Sequence, residues 1–82
     1  MKKYVSLYLE FMEKERNLLP HELLCEVCGK PAVDIHHILG KGKYPELKDS
    51  IENLVGLCRE CHIKYGQKKE YIDFLKEIVN AR

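Results

Sequence analysis

Eighty-two residues, 45% of them hydrophobic and 33% charged, suit one small domain. The formal net charge of +1 excludes a strong global attraction to nucleic acid, and no stretch reaches the roughly 20 apolar residues that span a bilayer. A chain this short buries only about 60–65% of its unfolded surface, so a metal, disulfides or oligomerisation should reinforce its core.

Residues 2–17 read as a helix. Val5, Tyr8, Leu9 and Met12 recur at helical spacing, Tyr4 and Phe11 flank them, and Glu10, Glu13, Lys14 and Arg16 fall largely on the other side. Such a stripe suits a face packed on the core; a dimer or partner helix is the other reading. Leu18-Leu19-Pro20 should end the helix, because the residue before proline avoids the α region. His21, beside that proline, reads as a surface residue. Cys25-Glu26-Val27-Cys28-Gly29 has the form of a metal knuckle, with glycine permitting the tight turn. Residues 31–39 alternate like a strand, with Val33, Ile35 and His37 on one side and Asp34 and His36 on the other. Residues 40–50 form a loop with two glycines, one proline and three lysines. Residues 53–57 are a short apolar run that suits a second strand, and 59–65 a helix stopping near Gly66. Residues 68–80 make a last amphipathic helix, with Tyr71, Ile72, Leu75, Ile78 and Val79 as its stripe. There is no internal repeat and no low-complexity segment.

The four cysteines fall in two C-x-x-C pairs, Cys25/Cys28 and Cys58/Cys61, with 29 residues between the pairs. Thiolates are soft ligands and Zn²⁺ takes four of them in a tetrahedron, so this spacing points to a structural zinc site. Two disulfides or buried free thiols are the alternatives. A closed shell of four thiolates leaves no position for substrate, so this site should not itself be catalytic.

His36, His37 and His62 are three of the chain's four histidines. His36 and His37 are neighbours on a strand, so their rings point to opposite sides unless the backbone bulges. His62 directly follows Cys61 and should sit in the first turn or so of the 59–65 helix. If the cysteine clamp forces that helix onto the strands, a strand histidine and a helix histidine can share a second metal ion.

Taken in order, C-x-x-C-G, the strand Asp34-Ile35-His36-His37-Ile38, then Asn53-Leu54, then Leu57-Cys58-x-x-Cys61-His62 resembles the HNH nucleases. The resemblance covers residues 25–62. It implies an α+β fold: a small ββα-metal core with a structural zinc at residues 25–66, flanked by an N-terminal helix and linker at 1–24 and a C-terminal helix at 67–82, all one HNH nuclease domain. It implies His37 as the general base that activates water and Asn53 as the residue that orients it. His36 and His62 are then ligands of a catalytic divalent ion. Many members supply a further ligand three or four residues after the last histidine. Here those positions are Tyr65 and Gly66, which leaves two secure protein ligands and makes Asp34 either a third or a carboxylate behind one of them.

The chemistry agrees with the resemblance. A neutral imidazole can take a proton from water, and a divalent ion can stabilise charge on the phosphate and leaving oxygen. Mg²⁺ or Mn²⁺ is expected there, and imidazole ligands would also accept Ni²⁺, Co²⁺ or Zn²⁺. The expected activity is endonucleolytic hydrolysis of DNA phosphodiester bonds, leaving 5′-phosphate and 3′-hydroxyl ends.

Lys41, Lys43 and Lys48 on the loop and Arg59 and Lys64 on the helix are candidates for DNA backbone contact; solvated surface charge is the other reading of each. Residues 25–69 carry eight basic side chains against six acids, so any attraction is local and salt-sensitive. A monomer would nick, whereas a homodimer or a larger phage or restriction assembly could cut both strands. The alternative function is a non-catalytic zinc module that grips nucleic acid or protein. Glu10, Glu13 and Glu15 interrupt what would be a secretory signal, and paired reduced cysteines suit an intracellular, cytoplasmic setting.

Overall fold

The computed structural model describes residues 2–40 and 42–82, so Lys41 lies outside the described residues. Helix α1 spans Lys3–Arg16. It stops at Asn17, which turns left-handed at φ 55°, and the Asn17 and Leu18 amides donate back to the Glu13 and Met12 carbonyls at 3.1 Å each. Asparagine tolerates this conformation better than most residues, so the helix ends before the Leu19-Pro20 step expected to end it. Lys14 and Arg16 in the last turn complement the helix dipole. Tyr8 and Met12 are buried, with Tyr4, Leu7 and Phe11 packed beside them, while Val5 and Leu9 are only half-buried.

Strands β1, Asp34–His37, and β2, Leu54–Leu57, pair antiparallel, with Asp34 opposite Leu57 and His37 opposite Leu54. β1 is shorter than the alternating stretch. Pro31, which has no amide hydrogen, makes only an isolated bridge to Leu24, and Val33 is exposed. Within β1 the two-residue period holds. Ile35 faces α1 and packs with Tyr8, Met12 and Leu54, while Asp34 and His36 face the opposite way, towards His62. β2 is buried along its whole length because both its faces are covered. Leu54 joins the α1 cluster, whereas Val55 and Leu57 pack with Cys25, Cys58, Cys61, Leu75 and Val79. Full burial of Leu54, Leu57 and Leu75 stabilises the fold by about 1.5–3 kcal/mol each.

After Cys58, helix α2 is a single α-turn, Arg59–Cys61, that widens into a π-turn over His62–Gly66. Helix α3, Ile72–Asn80, follows a tight turn at Lys69–Tyr71 and buries Leu75 and Val79. The long connection from β1 to β2 contains two short 3₁₀ turns, Pro45–Leu47 and Ile51–Asn53, so Asn53 precedes β2 rather than opening it.

A buried ionic knot ties these pieces together. Glu26, inside the first knuckle, accepts hydrogen bonds from Tyr8 Oη at 2.6 Å, the Gly56 amide at 2.9 Å and Arg82 Nη1 at 2.8 Å. Arg82 also donates to the Ile51 carbonyl at 2.6 Å and lies 4.9 Å from the Phe11 ring centre. Burial, reinforced by the Glu26 bond, raises the Tyr8 phenol well above its ordinary range, so it stays a donor. No described helix is long and apolar enough to cross a membrane.

Candidate metal centre and active site

The four cysteine sulfurs lie within 4.8 Å of one another, and Cys28 Sγ is 3.6 Å from Cys58 Sγ. Zinc–sulfur bonds of about 2.3 Å in a tetrahedron place sulfurs roughly 3.8 Å apart, so a zinc ion fits this cluster with little rearrangement. Gly29 turns left-handed at φ 82°, and its amide donates to the Cys25 carbonyl at 2.9 Å, closing the first knuckle. At the second, the Cys61 amide points at Cys58 Sγ, 3.4 Å away. Without a metal the thiols resist ionising together. Burial opposes ionisation of Cys25, but backbone hydrogen bonds from Cys28, Cys58 and Val27 outweigh it and bring that thiol down to about 7. Burial and hydrogen bonds with the other cysteines push Cys61 up. A dication is the natural counter-charge for four clustered thiolates.

The histidines form a different kind of site. His36 and His62 come together with ring centres 5.0 Å apart. His62 Nδ1 lies 2.9 Å from Asp34 Oδ2. A carboxylate only accepts, so the His62 proton is on Nδ1 and the lone pair on Nε2. Asp34 thus sits behind the imidazole, where it also draws Arg59 to 3.6 Å. His36 is buried, and its Nε2 has no hydrogen-bond partner. Leaving such an atom unbonded costs about 1–3 kcal/mol, so a cation bound there would relieve it. Burial, then the neighbouring His62 and His37, hold the His36 pKa down to about 4, so at neutral pH the ring is uncharged and able to ligate.

His37 projects to the other side of β1. Its Nε2 lies 2.9 Å from the Lys48 carbonyl, which assigns the proton to Nε2 and leaves Nδ1 as the basic nitrogen. Tyr4 of α1 stacks edge-on against the ring with centres 4.4 Å apart. Asn53 is buried and staples the ends of the loop. Its Oδ1 accepts from the Leu39 amide at 2.8 Å, and its Nδ2 donates to the carbonyls of Leu39 at 3.0 Å and Leu47 at 3.3 Å. Lys48, whose carbonyl holds His37, follows Leu47 directly, so Asn53 and the His37 ring are tied to adjacent carbonyls of the loop backbone.

His36, His37 and His62 all line one cleft of about 480 Å³. Among the described residues, the four cysteines are the only group of three or more Cys, His, Asp or Glu side chains whose ligand atoms converge. Lys43, Lys48 and Lys64 are exposed away from the cleft, and Arg59 lies in a smaller adjoining hollow with His62.

Residue types alone did not reveal the supporting parts. In sequence Gly66 marks only a helix stop, yet the His62 ring lies against it, and a methyl group there would overlap the ring. In sequence Tyr4 is a flank of the α1 stripe and Glu26 the interior of a knuckle. A glycine one helical turn beyond His62 is the one local signal that was there to be used.

A two-stranded sheet crossed by a short helix, with a four-cysteine cluster at its base and histidines on both elements, defines the ββα-metal class of fold. The HNH endonuclease family model matches residues 25–68, just over half of the sequence, and the chain belongs to that family. It is also 37% identical over 49 residues to a mitochondrial DNA mismatch repair protein, a mutS homolog of Sarcophyton glaucum. That match covers 55% of this chain and only 5% of the relative. No solved structure matches the chain.

Proposed function

We propose that this protein is a metal-dependent endonuclease that hydrolyses DNA phosphodiester bonds, with residues 1–24 and 67–82 supporting the 25–66 core as one nuclease unit. The observation that carries the reading is that His36, His37 and His62 line one cleft, within a chain of a nuclease family. The relative named as a DNA mismatch repair protein supports DNA as the substrate.

In this reading His37 Nδ1 takes a proton from water as the water oxygen bonds to phosphorus. The bond from phosphorus to the 3′ oxygen breaks, that oxygen is protonated from solvent, and the products carry 5′-phosphate and 3′-hydroxyl ends. The Lys48 carbonyl and the Tyr4 ring hold the base, and Asn53 holds the loop. Asp34 fixes the His62 tautomer. His36 and His62 would hold a divalent ion, Mg²⁺ or Mn²⁺ with Ni²⁺, Co²⁺ or Zn²⁺ as substitutes, and such an ion would supply positive charge to the phosphate and leaving oxygen.

Plasmid relaxation in Mg²⁺ or Mn²⁺ tests this. His37→Ala should lower the rate by about 10²-fold or more with its melting temperature kept. Equal cutting by parent and variant would remove His37 from the mechanism. The second reading, a non-catalytic zinc module, draws on the absence of a third converging ligand at the histidines among the described residues. One zinc per chain and no second ion at millimolar Mn²⁺ or Ni²⁺ would favour it.

A further inference from the structure

Among the described residues, the lysines that line the cleft are not those the sequence singled out. Beyond the π-turn the chain crosses the cleft as residues 67–69, with Lys68 in extended conformation at φ −112° and ψ 121°. Gln67, Lys68 and Lys69 therefore line the same cavity as the three histidines. Among the described residues, neither lysine has a carboxylate within 4 Å, and no acidic side chain lines the cavity. The described candidates from the sequence, Lys43, Lys48, Arg59 and Lys64, do not line this cavity. Lys43 lies over the Tyr44 ring at 5.9 Å, Lys64 over Tyr65 at 5.2 Å, and Arg59 is drawn to Asp34. The family match ends at residue 68, so Lys69 falls outside it.

We infer that Lys68 and Lys69 form a phosphate-binding wall opposite the histidines, holding the backbone phosphates next to the one that is cut. The inference rests on the nuclease reading for the identity of the anion, a DNA backbone. Two lysines and one glutamine, lining a cavity with no acidic side chain among the described residues, select a polyanion by charge and not by base sequence. Gln67 adds a neutral donor on the same wall.

The test is fluorescence anisotropy of a labelled duplex oligonucleotide with the zinc-loaded protein and no added Mg²⁺ or Mn²⁺, measured across salt concentrations. Lys68→Gln/Lys69→Gln should weaken binding about 10-fold or more and lower the slope of log affinity against log salt by about 2. A control pair, Lys43→Gln/Lys64→Gln, should change affinity less than about 2-fold. All four lysines are exposed, and unchanged melting temperatures would establish that the variants fold. Under cleavage conditions the Lys68/Lys69 variant should raise KM and leave kcat within about 2-fold. An unchanged salt slope in that variant, or an equal loss in the control pair, would overturn the wall. A parent that binds DNA through Lys68 and Lys69 but never cuts would sink the nuclease reading and leave the wall standing.

Discussion

The cysteine cluster and the histidine cluster are both built from side chains able to bind metal, and they differ in how far their ligand atoms close on one point. The cysteines come from two short knuckles, sit at the base of the core, and converge within 4.8 Å as a closed set of four. The histidines come from a strand and a π-turn, line an open cleft, and leave His36 Nε2 buried without a partner. Four ligands saturate a tetrahedral ion, whereas two leave positions for water and phosphate. The closed cluster is thus suited to making the fold and the open one to using it.

The sharpest way to break this contrast is Cys58→Ser. It should cost more than about 4 kcal/mol, most of what holds a domain of this size together, because zinc binding and folding are one equilibrium. Loss of the cooperative thermal transition is the expected result, and an unchanged melting temperature would show that the cysteines are not the clamp.

Acid should separate the two clusters next. In the folded chain His36 titrates at about 4, below the roughly 6.5 of an unfolded chain. As pH falls through 6.5 the unfolded chain gains a proton that the folded chain refuses, so stability drops between pH 6.5 and 4 and levels off below. The contribution is up to about 3 kcal/mol. Urea midpoints for the parent and His36→Gln should therefore converge as the pH falls across this window. The cysteines contribute the same acid sensitivity to both proteins, so parallel curves would mean that His36 is not held neutral by its surroundings.

The smallest effect should come from Gly66→Ala. The added methyl group forces the His62 ring away from its place beside Asp34. Titration calorimetry should show Mn²⁺ or Ni²⁺ affinity at the histidines falling about 10-fold, near 1.4 kcal/mol, with zinc content unchanged. If affinity holds, the π-turn does not set the position of His62.

Much of this was legible from residue order. The two C-x-x-C pairs, the alternation that sends Ile35 one way and His36 the other, and the ordered Cys, His and Asn positions each carry a local signature. Legibility failed where a role depends on a partner distant in the chain. Glu26 reads as the inside of a knuckle until Arg82 and Tyr8 reach it from opposite ends of the described chain. Lys64 and Lys68 look alike in sequence, yet one lies over Tyr65 and the other lines the cleft.

The sequence by itself determined most of the elements, the four-cysteine cluster and the family, because spacing and side-chain chemistry are local properties. Tertiary structure decided which histidine nitrogen is free, which lysines face the cleft, and why residue 66 is a glycine. Those outcomes depend on how β1, the π-turn and the loop stapled by Asn53 pack against one another, and packing is set by distances between residues that no local pattern encodes.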